Sequence, residues 1–139
     1  MIVVADTSIL FKTLVTEPDS DRAGSLVASS RVVVPELVYA EIGNAIWNRV
    51  HDRRLAQEAA VDLIEVFNSA AFEVHSNRPH LRRALAIAAA IDHPVYDCIC
   101  LSLAESLGIP LVTEDTRFLR ALSRHGFQPA DVKRLIEVT

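Results

Sequence analysis

Glycine is scarce in this chain, with four in 139 residues. No Gly-rich segment exists, which excludes a P-loop and a G-x-G-x-x-G dinucleotide fingerprint, since both need glycine where the backbone closes on phosphate. Cysteine is limited to Cys98 and Cys100, two positions apart inside an expected helix. That spacing points them to nearly opposite faces, so they neither share a metal nor pair, and both read as small core hydrophobes. No apolar run reaches the roughly 18 residues that a membrane span needs. The stretch Met1 to Asp6 has no basic region, and its apolar run stops at an acid, so it is not a signal peptide and a cytoplasmic protein is expected. Positive charge is also in short supply. A net charge of −4 excludes a nucleic-acid binder that works through the field of the whole protein. Any such role must rest on a local site. Arginines do cluster (Arg49, Arg53 and Arg54; Arg78, Arg82 and Arg83; Arg117, Arg120 and Arg124), but a cluster alone reads equally as a solvated helix face.

Apolar residues are plentiful, at 50% of the chain, enough for the core of one domain spanning 1–139. Ile2 to Ala5 and Arg31 to Pro35 are short continuous apolar runs, as in strands buried on both faces. Ala71 to His75 and Ile109 to Thr113 are expected as further strands. Between them lie helical periods: one after Asp6, then 19–29, 36–53, 56–68, 79–91, 97–107 and 115–125. The tail 132–138 fits an edge strand or a helix turn equally well. Strands alternating with one or two helices predict an α/β fold, a three-layer sandwich around a central parallel sheet of four to five strands.

In an open parallel sheet, ligands bind beyond the carboxyl ends of the strands, near a topological switch point. Asp6 ends the first strand, Asp115 follows the strand 109–113, and Asp97 opens the helix leading into it. Each of these aspartates has an ordinary alternative as a helix N-cap. Glu41 does not, because it falls in the middle of a helix among Leu37, Val38 and Ala45, with Asn44 on the same face. It is either a rim glutamate reaching water or a carboxylate aimed into a polar pocket. Carboxylates that converge raise one another's pKa, and a divalent cation relieves the repulsion. An all-oxygen donor set suits Mg²⁺ or Mn²⁺ rather than zinc, and phosphoryl transfer is the matching chemistry. No histidine stands at zinc-ligand spacing near these acids.

Four segments together carry a family resemblance: Asp6-Thr-Ser-Ile-Leu; Pro35-Glu-Leu-Val-Tyr-Ala-Glu41-Ile-Gly-Asn44; Tyr96-Asp97 with Leu101-Ser-Leu-Ala-Glu; and Leu111-Val-Thr-Glu-Asp115-Thr-Arg-Phe. In this order and spacing the chain resembles the PIN-domain ribonucleases, most closely the VapC-type toxins of toxin–antitoxin pairs, over nearly its full length. The resemblance implies a PIN-like fold and an endoribonuclease dependent on Mg²⁺ or Mn²⁺. Asp6 and Asp97 would be the principal metal ligands, with Glu41 and Asp115 completing the pocket directly or through water. Thr7, Ser8, Asn44 and Thr113 would support them, and Arg117 would meet substrate phosphate. It further implies an RNA substrate, a cognate antitoxin and a homodimer. Glu114 is expected to face solvent. Trp47, Phe11 and Leu14 read as core or as apolar contacts for a partner. A receiver-type domain is disfavoured by Thr113, which stands where that fold needs lysine, and a haloacid-dehalogenase-like phosphatase by Ser8 in place of a second aspartate. The remaining alternative is a non-catalytic module that only binds an antitoxin or regulator.

Overall fold

A computed structural model describes residues 1–127 and 131–139. Five strands, β1 (Ile2–Ala5), β2 (Arg31–Pro35), β3 (Glu73–His75), β4 (Leu111–Val112) and β5 (Val132–Lys133), form one sheet in the order β3-β2-β1-β4-β5. Every neighbouring pair is parallel. The chain builds outward from β1 through β2 to β3, then returns to lay β4 and β5 on β1's other side. The switch point therefore lies between β1 and β4, where a crevice opens beyond the strand ends.

The three layers follow from side-chain alternation along the strands. Val3, Ala5, Val32, Val34 and Val112 face one helix layer, α1 (Thr7–Lys12), α2 (Ser20–Ser29), α3 (Leu37–His51), α4 (Gln57–Asn68) and α8 (Leu135–Val138). Val4, Val33 and Leu111 face the other, α5 (Leu81–Ile91), α6 (Val95–Leu107) and α7 (Thr116–Arg124). Each fully buried aliphatic side chain contributes roughly 1.5–3 kcal/mol, and both faces of β1 and β2 are dry, as their unbroken apolar runs require. The interior of α6 is buried from Cys98 to Ala104, so both cysteines lie in the core as free thiols. Burial pushes the Cys98 thiol up to about 12 and Cys100 well above its ordinary value.

The structure differs from expectation, or decides it, in three informative places. First, α6 starts at Val95, with Pro94 at its N-cap, rather than at Asp97. Second, the tail is both things at once, an edge strand (β5) followed by a helical turn (α8). Third, Glu114 does not face solvent. Its Oε1 accepts from the backbone N–H of Leu135 at 2.7 Å and its Oε2 from Arg134 Nη2 at 2.7 Å, so this acid ties the tail to the β4–α7 loop. Gly108, at φ +64°, ends α6 in the left-handed region where glycine carries no Cβ penalty. Asp92 does the same for α5 at φ 51°, a conformation that aspartate tolerates better than most residues. Among the described residues no helix is long and apolar enough to cross a membrane.

Candidate active site

β1 delivers Asp6 to the switch point. Its residue caps α1, and its carboxylate, 3% exposed, is surrounded by donors. Oδ1 accepts from Ser8 Oγ at 2.5 Å and from the Ile9 N–H at 3.3 Å, while Oδ2 accepts from the Thr113 hydroxyl. Those two hydroxyls also reach across the crevice. Ser8 Oγ accepts from the Glu114 N–H at 2.9 Å, and Thr113 Oγ1 accepts from the Asp115 N–H at 3.0 Å. The loop after β4 is thereby fixed to the acid after β1.

Asp115 caps α7, accepting from the Phe118 N–H at 3.0 Å. Glu41 lies in the middle of α3 and caps nothing. Its Oε1 accepts from Thr7 Oγ1 at 2.9 Å, so its hydrogen bond comes from the first residue of α1. Asn44 lines the same cavity without being that donor. Asp97 occupies the first turn of α6, yet its carboxylate makes no cap. Instead Asp97 Oδ2 and His93 Nε2 lie 2.7 Å apart. His93 is held there by the left-handed turn at Asp92, by its own N–H donating to Ala88 O at 3.2 Å, and by packing of its ring on Phe118 at 5.2 Å. Sequence reasoning passed over His93. The signal was its spacing, four residues before Asp97, which brings two side chains together even across a helix start.

The carboxylates feel one another. Burial, opposed by the Ser8, Thr113 and Ile9 donors and assisted by the charge of Asp97, holds Asp6 up to about 7. Burial also raises Glu41, against the Thr7 hydrogen bond and with the charges of Asp97 and Asp115 adding to it. Asp97 is raised by burial and by Asp115, with His93 opposing. The structure thus brings acids from four separate segments into one electrostatic field. It does not gather them into a finished cage. Among the described residues, no three Asp, Glu, His or Cys side chains are positioned to hold a metal ion, and each of the four carboxylates is engaged by a protein donor. The donor set is all oxygen and short of positive charge, which fits a hard divalent cation better than zinc.

Beside the acids lies an open cavity of about 420 Å³, walled by Thr7, Glu41, Asn44, Asn48 and Tyr96 with the apolar face of Leu37, Ala40 and Ala45. Arg117 does not line it; its guanidinium belongs to a separate cavity on α7. Trp47 is mostly exposed and stacks on His51 at 5.0 Å, whereas Phe11 and Leu14 pack against the core.

Comparison with known proteins identifies the family and the fold. The PIN domain model matches residues 3–122, and the chain belongs to the PIN-domain family. A curated relative, Ribonuclease VapC3 of Pyrobaculum aerophilum, is 29% identical over 83% of this chain and 90% of its own length. Among solved structures, PAE2754 from Pyrobaculum aerophilum superimposes with a TM-score of 0.73 at 23% identity, covering 99% of this chain and 86% of that one. DNA-bound VapBC from Salmonella typhimurium gives 0.65 at 21% identity, covering 97% and 98%. At these identities the two structures establish the fold.

Proposed function

We propose that this chain is a metal-dependent endoribonuclease, the toxin of a toxin–antitoxin pair, that hydrolyses RNA phosphodiester bonds beside Asp6, Glu41, Asp97 and Asp115. The observation that carries the reading is the convergence of these acids, from four segments of the chain, at the switch point of the sheet, where burial first and neighbouring charge second hold Asp6, Glu41 and Asp97 above their ordinary range. Raised carboxylate pKa values cost stability, and an acidic pocket that serves no cation has no evident reason to keep them. The name of the curated relative supports the same class of reaction.

Asp6 and Asp97 would hold Mg²⁺ or Mn²⁺, with Glu41 and Asp115 joining directly or through water. A divalent ion at such a site supplies a lowered water pKa and offsets charge on the phosphate undergoing in-line displacement. The remaining work falls to this chain's own residues. Ser8 and Thr113 fix the orientation of Asp6, and Thr7 holds Glu41 toward the pocket. Asn44 and Asn48 offer amide groups to an RNA strand in the adjoining cavity, and the half-exposed ring of Tyr96 offers a stacking face for a base. Arg117 offers a guanidinium to phosphate. Thr7 and His93 engage Glu41 Oε1 and Asp97 Oδ2, so each acid would keep its second carboxylate oxygen for the ion. Residues 1–139 act as a single domain, since the tail is tied to the site through Glu114. RNA, an antitoxin, a second copy of the chain and a cytoplasmic setting complete the reading, as the resemblance implies.

A second reading, a module that binds an antitoxin or regulator without cleaving RNA, has one observation in its favour: the carboxylates are not already in ligand geometry. One experiment separates the two. RNA fragments are sequenced after induction of the wild type and of Asp97→Asn. New ends that appear with the wild type and vanish with the variant support the nuclease; identical fragment patterns support the binding module.

A further inference from the structure

A second cavity, of about 300 Å³, lies between the end of α5 and the outer face of α7. Its polar lining is Asp92, His93, Arg117, Arg120, Arg124 and His125. The arginines recur at intervals of three and four residues, so α7 presents them as one row opposite Phe118 and Leu122, which are buried. The row extends about 10 Å along the helix axis. Elsewhere in the chain Arg31, Arg49, Arg83 and Arg134 are each tied to a glutamate. Among the described residues, Arg117, Arg120 and Arg124 make no salt bridge, and neither do Arg53, Arg54, Arg78 and Arg82; what sets the α7 arginines apart is that all three line one cavity. Three uncommitted guanidiniums thus face one concave site, with a single carboxylate, Asp92, as counterweight.

His93 connects this cavity to the acids. Its ring lines the cavity, and its Nε2 meets Asp97 Oδ2 at 2.7 Å. An RNA strand cut beside Asp97 has further phosphates to place next to the scissile one. The acidic pocket repels them, and the arginine row is the adjacent surface that attracts them. Guanidinium groups suit this task because their fork matches two phosphate oxygens. We infer that the cavity between the Asp92–His93 turn and α7 is a phosphate subsite that holds the RNA backbone next to the bond being cleaved. The inference rests on the nuclease reading for which polymer occupies it, and it adds Arg120 and Arg124 as binding residues and His93 as the partition between binding and chemistry.

The test measures binding apart from cleavage. A fluorescent single-stranded RNA is titrated with the wild type, with Arg120→Gln/Arg124→Gln and with Arg54→Gln, in chelator, at several salt concentrations. All three positions are exposed, so the fold is expected to survive, and Arg124→Gln alone is the fallback if the double variant melts early. The double variant should bind about 10-fold more weakly at low salt. Its slope of log K against log salt should be shallower by about 1.4, the loss of two single-strand phosphate contacts. That loss should be uniform across RNA sequences, because phosphate contacts position without reading bases. Arg54→Gln should match the wild type. With Mn²⁺ added, KM should rise about 10-fold while kcat stays within about twofold.

Equal affinity and slope in the double variant overturn the inference, as does an equal loss in Arg54→Gln, which would make the effect one of bulk charge. Absence of wild-type binding overturns it too. If the slope changes as expected but no protein cleaves RNA in Mn²⁺, the phosphate subsite stands and the nuclease reading falls.

Discussion

Asp6 makes stability of the metal-free protein depend on pH in a direction opposite to that of most carboxylates. Its folded pKa is held up to about 7 from an ordinary 3.8. Between those values the native state binds more protons here than the unfolded chain does. The stability associated with this group is therefore complete below about pH 4, declines as the pH rises, and is lost above about pH 7. At about 1.4 kcal/mol per pKa unit, the full effect is on the order of 4 kcal/mol, of which roughly 3 falls between pH 5 and pH 8. Asp6→Asn keeps the shape and an acceptor for the Ile9 N–H while removing the charge. Part of the hydrogen bonding from Ser8 and Thr113 is lost, which costs about 1–3 kcal/mol at every pH. The variant should thus be the less stable protein at pH 5 and should gain on the wild type as the pH rises, matching or passing it by pH 8.

The assay is urea unfolding in chelator from pH 5 to pH 8, followed by circular dichroism, with the difference between the two proteins as the readout. His80, whose pKa burial lowers, titrates with the opposite sign and cancels in that difference. A wild-type-minus-variant stability that stays constant across the range would refute the burial argument for Asp6. Adding Mn²⁺ extends the test. An ion that prefers the ionised acid should stabilise the wild type more at pH 8 than at pH 5, and Asp6→Asn should lose most of that gain.

Four further outcomes are expected. Asp97→Asn should reduce RNA cleavage at least about 100-fold without loss of folded structure, because a repelling charge is removed along with the function; near-normal cleavage would take Asp97 out of the site. Activity should cease in chelator and return with Mg²⁺ or Mn²⁺, whereas recovery with Zn²⁺ alone would contradict the oxygen-only donor set. Glu114→Ala should release the tail from the β4–α7 loop, lowering stability by about 1–3 kcal/mol and accelerating amide exchange in β5 and α8, which is where hydrogen-exchange mass spectrometry would look. Thr7→Val should deprive Glu41 of its hydroxyl donor and raise its pKa further. The acidic limb of the cleavage pH profile should then move to higher pH, and an unmoved limb would separate Glu41 from the chemistry.

The sheet was readable because β1 and β2 are buried on both faces, and a strand in that position writes itself as a continuous apolar run. Glu41 was readable for the opposite reason, being a charge with no local task. Asp97 was harder. The sequence allows it to be an N-cap, but Pro94 takes that position, and only the three-dimensional turn through Asp92 shows that His93 is its partner. Glu114 was misjudged because its partners, Arg134 and Leu135, come from a tail whose own pattern is ambiguous. For Glu114 the missing information was a long-range pairing that no local periodicity encodes, whereas for Asp97 it was a partner four residues away that the left-handed turn at Asp92 brings into reach.

That distinction explains why the caps and the acidic pocket are not rival readings. Asp6 caps α1 with Oδ1, toward the Ile9 N–H, and turns Oδ2 to Thr113 across the switch point. Asp115 caps α7 with Oδ1, and its charge is still felt by Glu41 and Asp97. A helix that starts at the carboxyl end of a parallel strand has its unpaired N–H groups where the sheet opens its crevice. The acid that satisfies those groups is then already at the place where a cation and a phosphate can meet. Glu41 and Asp97, which have no cap to make, are engaged by a hydroxyl and an imidazole instead. Those partners, Thr7 and His93, each engage one carboxylate oxygen, Glu41 Oε1 and Asp97 Oδ2, and so set how the second oxygen of each acid is presented.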